Sequence, residues 1–221
     1  MLETPASSRK VIVVGAGIVG IACAIYLQRD GHRVTVIDRL PPGEGCSRGN
    51  AGILASSSCV PLSMPGILRQ VPKWLLDPLG PLAIRWGYLP RLLPWLIAFV
   101  RAGAPERVER ASVALQSLLA PSVEDYLALA KAAGAVDLVR PSGLLYVYES
   151  DSGLAKDTAG WALRRARRVK MEELAGGEIR EVEPALAPLY RRAVFLPDDG
   201  YTTDPWRLVQ ALAEHFIRSG G

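Results

Sequence analysis

The chain is poor in the residues that build metal and disulfide sites. It has 3 Cys and 2 His in 221 residues. Cys23, Cys46 and Cys59 form no C-x-x-C pair, and His32 and His215 alone do not make a zinc site. An odd cysteine count without framework spacing fits a reducing compartment, so a cytoplasmic location is expected. Neither sign of charge dominates: 26 Lys+Arg face 22 Asp+Glu, a net +4. That excess is too mild and dispersed to call for nucleic acid. The uncharged run Val11 to Leu27, behind Arg9-Lys10, falls short of the roughly 20 residues that span a bilayer and is broken by Gly15, Gly17 and Gly20. Disorder is excluded by a hydrophobic content of 49%, which suffices for one large domain or two small ones. Nine of the 17 Pro fall between Pro61 and Pro121, and no repeat or low-complexity tract is present.

Val11-Ile12-Val13-Val14 is a β-branched run ending at Gly15 and reads as a strand buried on both faces. Gly17 to Arg29 reads as a helix stopped by Gly31. Residues 33–38 (RVTVID) read as a second strand. The connection is long enough for a right-handed crossover, so this is a βαβ unit with parallel strands. Residues 41–58 are rich in Gly and Ser without helical period. Residues 105–133 read as helical, broken or kinked at Pro121. Leu144 to Tyr148 and Ala193 to Leu196 are strand candidates. The stretch 161–174 reads as a basic helix carrying Arg164, Arg165, Arg167, Arg168 and Lys170, a solvated face with an anionic-lipid contact as its alternative. Asp204 is the expected N-cap and Pro205 the first residue of a last helix running to about Arg218.

Gly15-Ala16-Gly17-Ile18-Val19-Gly20 is G-x-G-x-x-G, placed after a strand and opening a helix. Gly15 permits the tight turn, Gly17 lets a pyrophosphate approach the backbone, and Gly20 lets helix and strand pack closely. The helix N-terminus offers free N–H groups and a positive dipole end. Asp38 closes the second strand, where a carboxylate accepts hydrogen bonds from adenosine ribose hydroxyls and repels a 2′-phosphate. A nicotinamide enzyme of this topology continues into another helix and strand. Here the Gly/Ser loop Cys46-Ser47-Arg48-Gly49-Asn50-Ala51-Gly52-Ile53 follows, suited to wrapping a pyrophosphate and running under a flavin. The alternative is a surface loop.

These residues resemble the FAD-dependent amine and D-amino-acid oxidoreductases, nearest the D-amino-acid dehydrogenase branch, with glycine and sarcosine oxidases as relatives. E-V-E-P-A-L (181–186) and L-P-D-D-G-Y-T-T-D-P-W-R-L (196–208) add to the likeness. The resemblance implies an α/β fold, α+β overall, with a Rossmann-like FAD-binding βαβ unit and an inserted mixed-sheet and helical substrate domain. It divides the chain into 1–58 (FAD-binding), 59–200 (substrate) and 201–221 (return helix). Gly15, Ala16, Gly17, Ile18 and Val19 would surround the pyrophosphate, with Gly20 completing the turn. Asp38 would hold the ribose and Arg39 pack near the adenine. Cys46 and Ser47 would meet the phosphate or ribityl region, and Asn50, Ala51, Gly52 and Ile53 line the flavin. Relatives with covalent flavin carry histidine where this chain has Gly49, so non-covalent FAD is expected, with Cys46 a small buried thiol. The activity implied is oxidative deamination of a small D-amino acid or cyclic imino acid by hydride transfer to flavin. No residue is singled out as catalytic. Of the alternating Tyr146 and Tyr148, Tyr146 is the substrate-contact candidate. No metal is implied.

Family members are close to twice this length, and two parallel strands are too few for a doubly wound sheet. The chain is therefore expected to be an N-terminal half, truncated before the later strands. An exposed apolar face is expected around Val11, Val13, Leu208 and Leu212, where a C-terminal half or partner chain packs. A rival reading is a catalytically inert fragment. Another is a peripheral module: 82–100 (LAIRWGYLPRLLPWLIAFV) interleaves Trp and Arg as a monotopic helix does, on the inner face of the membrane, while Pro90 and Pro94 interrupt one straight span. Its alternative is helices covering the substrate domain or the missing half.

Overall fold

The structure is a computed structural model that describes residues 8–69, 71–77 and 85–221. Residues 82–84 of the apolar stretch lie outside the described residues. In chain order the elements are β1 (Lys10–Val14), α1 (Ile18–Arg29), β2 (Arg33–Ile37), β3 (Ile53–Leu54), α2 (Val71–Leu76), α3 (Leu89–Ala102), α4 (Pro105–Leu119), α5 (Ser122–Ala133), β4 (Val139–Arg140), β5 (Leu144–Tyr148), α6 (Asp151–Lys156), α7 (Thr158–Ala166), β6 (Glu172–Ala175), α8 (Gly177–Val182), β7 (Arg192–Leu196), β8 (Gly200–Thr202) and α9 (Pro205–Arg218). Among the described residues three small sheets form, ordered β1-β2, β3-β8-β4 and β5-β7-β6.

The chain divides into two compact units. The first comprises 1–56, 121–146 and 194–221, the second 57–120 and 147–193. The strand 144–148 leaves the first unit and 192–196 re-enters it. Helix α5 thus belongs with the βαβ unit rather than with the residues around it in sequence. Proline explains the separation of α4 from α5. Pro121 has no N–H to continue the ladder, and the helix restarts one residue later, with Pro121 at its N-cap.

In the first unit, β1 and β2 pair in parallel from Lys10↔Arg33 to Val14↔Ile37, with α1 as the crossover. Helix α9 starts where its sequence says. The Asp204 carboxylate accepts from the Arg207 N–H at 3.0 Å, and Pro205 occupies the first turn. Its stripe Leu208, Val209, Leu212, Ala213 and Phe216 is buried, as one face of a 3.6-residue period should be. It packs with Ile21, Ile25, Val34, Leu129 and Leu138 in one core. Gln28 at the end of α1 donates to Phe216 O and Ser219 O, at 3.3 and 2.8 Å.

This packing corrects the expected exposed face. Leu208 and Leu212 are 1% and 0% exposed, and Val11 and Val13 pack against the core as partly buried residues. The wet side of the β1-β2 pair is the opposite one, with Ile12 67%, Val14 81% and Ile37 49% exposed. The period of two along each strand assigns alternate residues to opposite faces, and α1 and α9 together suffice to cover one of them.

In the second unit, Cys59, Val108, Ser112, Trp161 and Ile179 are buried. The Tyr148 hydroxyl donates to Asp157 at 2.8 Å and accepts from the Trp161 indole N–H at 3.1 Å. Arg164 lies over the Trp161 ring at 4.6 Å from its centroid and donates to Ser57 O at 3.3 Å. The basic stretch is neither one helix nor a free cationic face. Helix α7 stops at Ala166, Arg168 turns the backbone at φ 60, and 172–175 is strand. Arg165 pairs with Glu173 and Arg167 with Glu109. Helix α3 runs through Pro94 instead of breaking there.

Candidate functional site

The turn after β1 depends on its glycines. Gly15 sits at φ +113, a region closed to residues with a Cβ, and its N–H donates to Ile37 O at 2.8 Å. A Cβ on Gly20 would lie 1.9 Å from Gly15 O, so only glycine lets α1 start this close to the strand. Gly17 differs. A Cβ there would meet only Ser47 Oγ, at 3.6 Å, which leaves space beside the backbone for a ligand. The N-cap residue, Gly17, has no side chain to cap α1, and the first turn carries no acid. The Ile18 N–H donates to Ser47 Oγ at 3.3 Å. An uncapped helix start with unspent N–H groups suits a phosphate.

Asp38, just past β2, is bound to this turn. Its Oδ2 accepts from the Ala16 N–H at 2.7 Å and its Oδ1 from the Leu40 N–H at 3.0 Å. These bonds, the Ala16 one foremost, hold its carboxyl below the ordinary carboxylate value. The side chain is exposed, and each oxygen keeps a lone pair for a ribose hydroxyl. A cavity of about 530 Å³ beside it is lined by Ala16, Thr35, Asp38 and Leu40 and, from α9, by Ala213 and Phe216.

The loop after Asp38 is pinned at both ends. The Gly43 N–H donates to Ala16 O at 3.0 Å. Asn50 spans its own turn, accepting from the Gly52 N–H at 2.8 Å and donating to Cys46 O at 3.2 Å. Gly52, at φ +67, lies under β8, where a Cβ would come within 2.5 Å of Thr202 O. The Thr202 N–H closes the clamp on Gly52 O at 2.8 Å. Arg48 pairs with Glu44 at 2.7 Å and lies 5.4 Å from the Trp206 ring. A second, 80 Å³ cavity is lined by Ile18, Ser47, Asn50, Gly52, Tyr126 and Thr202, among others. The buried Thr202 Oγ1 has no hydrogen-bond partner among the described residues.

The structure thus brings together Gly15, Ala16, Gly17, Ile18, Gly20, Asp38, Ser47, Asn50 and Gly52. Ile53 lines the smaller cavity with Ile18, Ser47, Asn50 and Gly52, while Val19, Arg39 and Ala51 lie on the exposed side of the same segments. Cys46 is exposed, which corrects the expectation of a buried thiol, since the turn closed by Asn50 uses the Cys46 carbonyl and leaves its side chain outside. Tyr146 is half-buried in β5 and lines neither cavity. Thr202, Tyr126, Gly43 and Trp206 carry no local signal of their roles. Thr202 lies in the 196–208 segment, but only the β3–β8 pairing, Ile53↔Tyr201 and Leu54↔Gly200, brings it to the loop. Among the described residues no metal-binding group of His, Cys, Asp and Glu occurs, and no helix is long and apolar enough to cross a membrane.

A βαβ unit whose glycine turn faces an acid at the end of the second strand defines a dinucleotide-binding α/β protein. The chain belongs to the FAD dependent oxidoreductase family DAO, whose model matches residues 10–221. It is 44% identical over 215 residues to a D-amino-acid oxidase of Bradyrhizobium diazoefficiens, covering 96% of this chain and 51% of that protein. It is 35% identical over 195 residues to D-amino acid dehydrogenase 2 of Ralstonia nicotianae, covering 86% and 46%. The chain therefore spans about half the length of the curated relatives it matches. Glycine oxidase from Geobacillus kaustophilus superposes with a TM-score of 0.58 at 21% identity, over 97% of this chain and 46% of that one. L-Amino acid deaminase from Proteus myxofaciens gives 0.60 at 17%, over 98% and 38%. These two share the fold. The family is FAD-dependent, in agreement with the cofactor expected from the turn, the acid and the loop.

Proposed function

We propose that this chain supplies the FAD cradle of an enzyme that oxidatively deaminates a small amino acid, a D-amino acid or a cyclic imino acid. The observation that carries the reading is the cradle itself: uncapped α1, Asp38 bonded to Ala16, and a loop clamped through Gly52, in a chain 44% identical to a D-amino-acid oxidase. FAD fits these residues. Gly17 leaves open space where a Cβ would project, and the Thr202 hydroxyl lacks a partner beside the loop.

In this reading Gly15 to Val19 and Ser47 hold the pyrophosphate by backbone N–H groups and the helix dipole. Asp38 orients the adenosine ribose, Arg39 lies near the adenine, and Asn50 to Ile53 support the ring. Attachment is non-covalent, with Gly49 where relatives with covalent flavin carry histidine. The first unit is the cofactor side and the second belongs to the substrate side; Tyr146, the last residue of β5 within the first unit, is a substrate contact. Bound FAD would accept the Cα hydride, and water then hydrolyses the resulting imine to a 2-oxo acid and ammonia. The substrate carboxylate calls for an Arg fork.

Anaerobic mixing of the protein expressed from its complete coding sequence with a panel of acids tests this. Bleaching of the flavin by small D-amino or cyclic imino acids, and none by 2-hydroxy acids, is expected. Bleaching by lactate but by no amine overturns it.

A further inference from the structure

A cavity of about 400 Å³ in the second unit shares no residue with the cofactor cradle. It lies where the last turns of α4 meet the end of α7, and its polar wall is Gln116, Ser117, Arg167 and Arg168. Arg168 holds an unusual place. Helix α7 closes with two backbone bonds, the Arg168 N–H donating to Arg165 O at 3.0 Å and the Val169 N–H to Arg164 O at 3.1 Å. Such a closure needs a left-handed residue just past the cap, a place that glycine fills without steric cost. Here it is Arg168, at φ 60, and no other non-glycine residue among the described ones has a positive φ. Arg168 is exposed and pairs with no acid among the described residues. Strain kept at a residue that glycine would relieve points to a use for its side chain.

The other polar groups of the wall define what the cavity takes. The Arg167 side chain is 15% exposed and its terminal nitrogen pairs with Glu109, so the free positive charge belongs to Arg168. Arg167 Nε is buried and has no hydrogen-bond partner, and the same holds for Gln116 Oε1. Buried polar atoms are normally partnered, by protein, water or ligand. Both side chains are flexible, and a small rotation presents either atom to the cavity. Ser117 Oγ donates to Ala114 O at 2.8 Å, which spends its proton and leaves its lone pairs as acceptors. Arg167 and Arg168 therefore call for an acceptor carrying negative charge, while Gln116 and Ser117 call for a donor. The C-terminal ends of α4 and α7 add a preference for positive charge beside the donor. A simple anion answers one half of the wall and a simple amine the other. A zwitterion answers both.

We propose that this cavity binds a small zwitterionic α-amino acid as an effector. Its carboxylate lies on the Arg168 guanidinium and Arg167 Nε, and its ammonium on Gln116 Oε1 and Ser117 Oγ. A short side chain fits against Val113 and Ala166, which complete the wall with Ala120. The proposal does not depend on the oxidative reading, since the site only recognises the amino acid and changes none of its bonds.

The test is equilibrium dialysis of labelled free glycine against the full-length, FAD-loaded protein, with the flavin kept reduced by dithionite so that no amino acid is oxidised. Wild type should bind one glycine per chain more than Arg168→Gly, whose affinity at this site should fall on the order of tenfold or more. Gln116→Leu should lose the same site. Acetate and methylamine, each offering one half of the zwitterion, should compete far more weakly than unlabelled glycine. Arg168→Gly suits the left-handed turn, so its melting temperature without ligand should be at least that of wild type, and this variant alone decides if Gln116→Leu is unstable. Equal glycine binding by wild type and Arg168→Gly overturns the proposal. Acetate competing as well as glycine also overturns it, because the site then takes a bare carboxylate. A lower melting temperature for Arg168→Gly does so too, because the arginine is then structural.

Discussion

Gly20→Ala sets two effects of opposite sign against each other. Alanine in a helix is favoured over glycine by about 1 kcal/mol, so an exposed position would gain stability. Here the new Cβ would lie 1.9 Å from Gly15 O and 2.9 Å from Gly15 C. Ordinary contact begins at 3.4 Å, so the deficit is about 1.5 Å. Both opposing atoms are backbone, and the turn holding them is tied to Ile37 by the Gly15 N–H, so no rotamer change relieves the clash. Either α1 retreats or the turn opens. Overpacking of this kind costs about 1–3 kcal/mol, occasionally more. A rigid obstacle puts it at the upper end, and a net loss of about 2 kcal/mol is expected. The retreat also carries the α1 N–H groups away from the phosphates.

Gly17→Ala separates binding from folding. Its backbone, at φ −80, accepts alanine, and the nearest atom is Ser47 Oγ at 3.6 Å. Alanine is a poorer N-cap than glycine, so a loss of no more than about 1 kcal/mol is expected. Its Cβ would nevertheless project where the pyrophosphate approaches. Thermal unfolding of the full-length apoprotein and FAD titration by fluorescence quenching check both variants. Gly20→Ala should lose stability and FAD together, Gly17→Ala chiefly FAD. A Gly20→Ala protein as stable as the wild type, or a Gly17→Ala protein with undiminished FAD affinity, would refute this account of the turn.

Asp38→Ala should weaken FAD binding through loss of charge-assisted hydrogen bonds, and Asp38→Asn, which keeps one acceptor oxygen, should weaken it less. Equal affinity in the same titration for both variants and the wild type contradicts the ribose role. Burial first, and donation to Asp157 second, push the Tyr148 phenol up from 10.0 to about 12. A folded value above the unfolded one means this contribution to stability is complete below pH 10 and is lost as pH rises from 10 through 12. Alkaline unfolding monitored by circular dichroism, with tyrosinate absorbance in parallel, should therefore be less steep in that window for Tyr148→Phe. An unchanged alkaline limb rules it out.

What was legible in the sequence is local. The β-branched run 11–14, the glycines at 15, 17 and 20, Asp38 at the end of the second strand, and the Asp204-Pro205 helix start each act through neighbours a few residues away, so residue type and spacing suffice to predict them. Tertiary structure decided what joins distant segments. Asp38 bonds to Ala16 across the end of the β1-β2 pair, and Thr202 clamps Gly52 from 150 positions downstream by a hydrogen bond to its carbonyl. Helix α5 joins the βαβ unit across the chain that separates them. Leu208 and Leu212 find their core in α1 and α5, where an open face was expected. The basic stretch after Trp161 divides into helix and strand at the left-handed Arg168, and Glu173 and Glu109 take its Arg165 and Arg167. Backbone hydrogen bonds and burial between remote segments depend on which surfaces meet, and a strand or helix pattern looks the same whichever partner covers it.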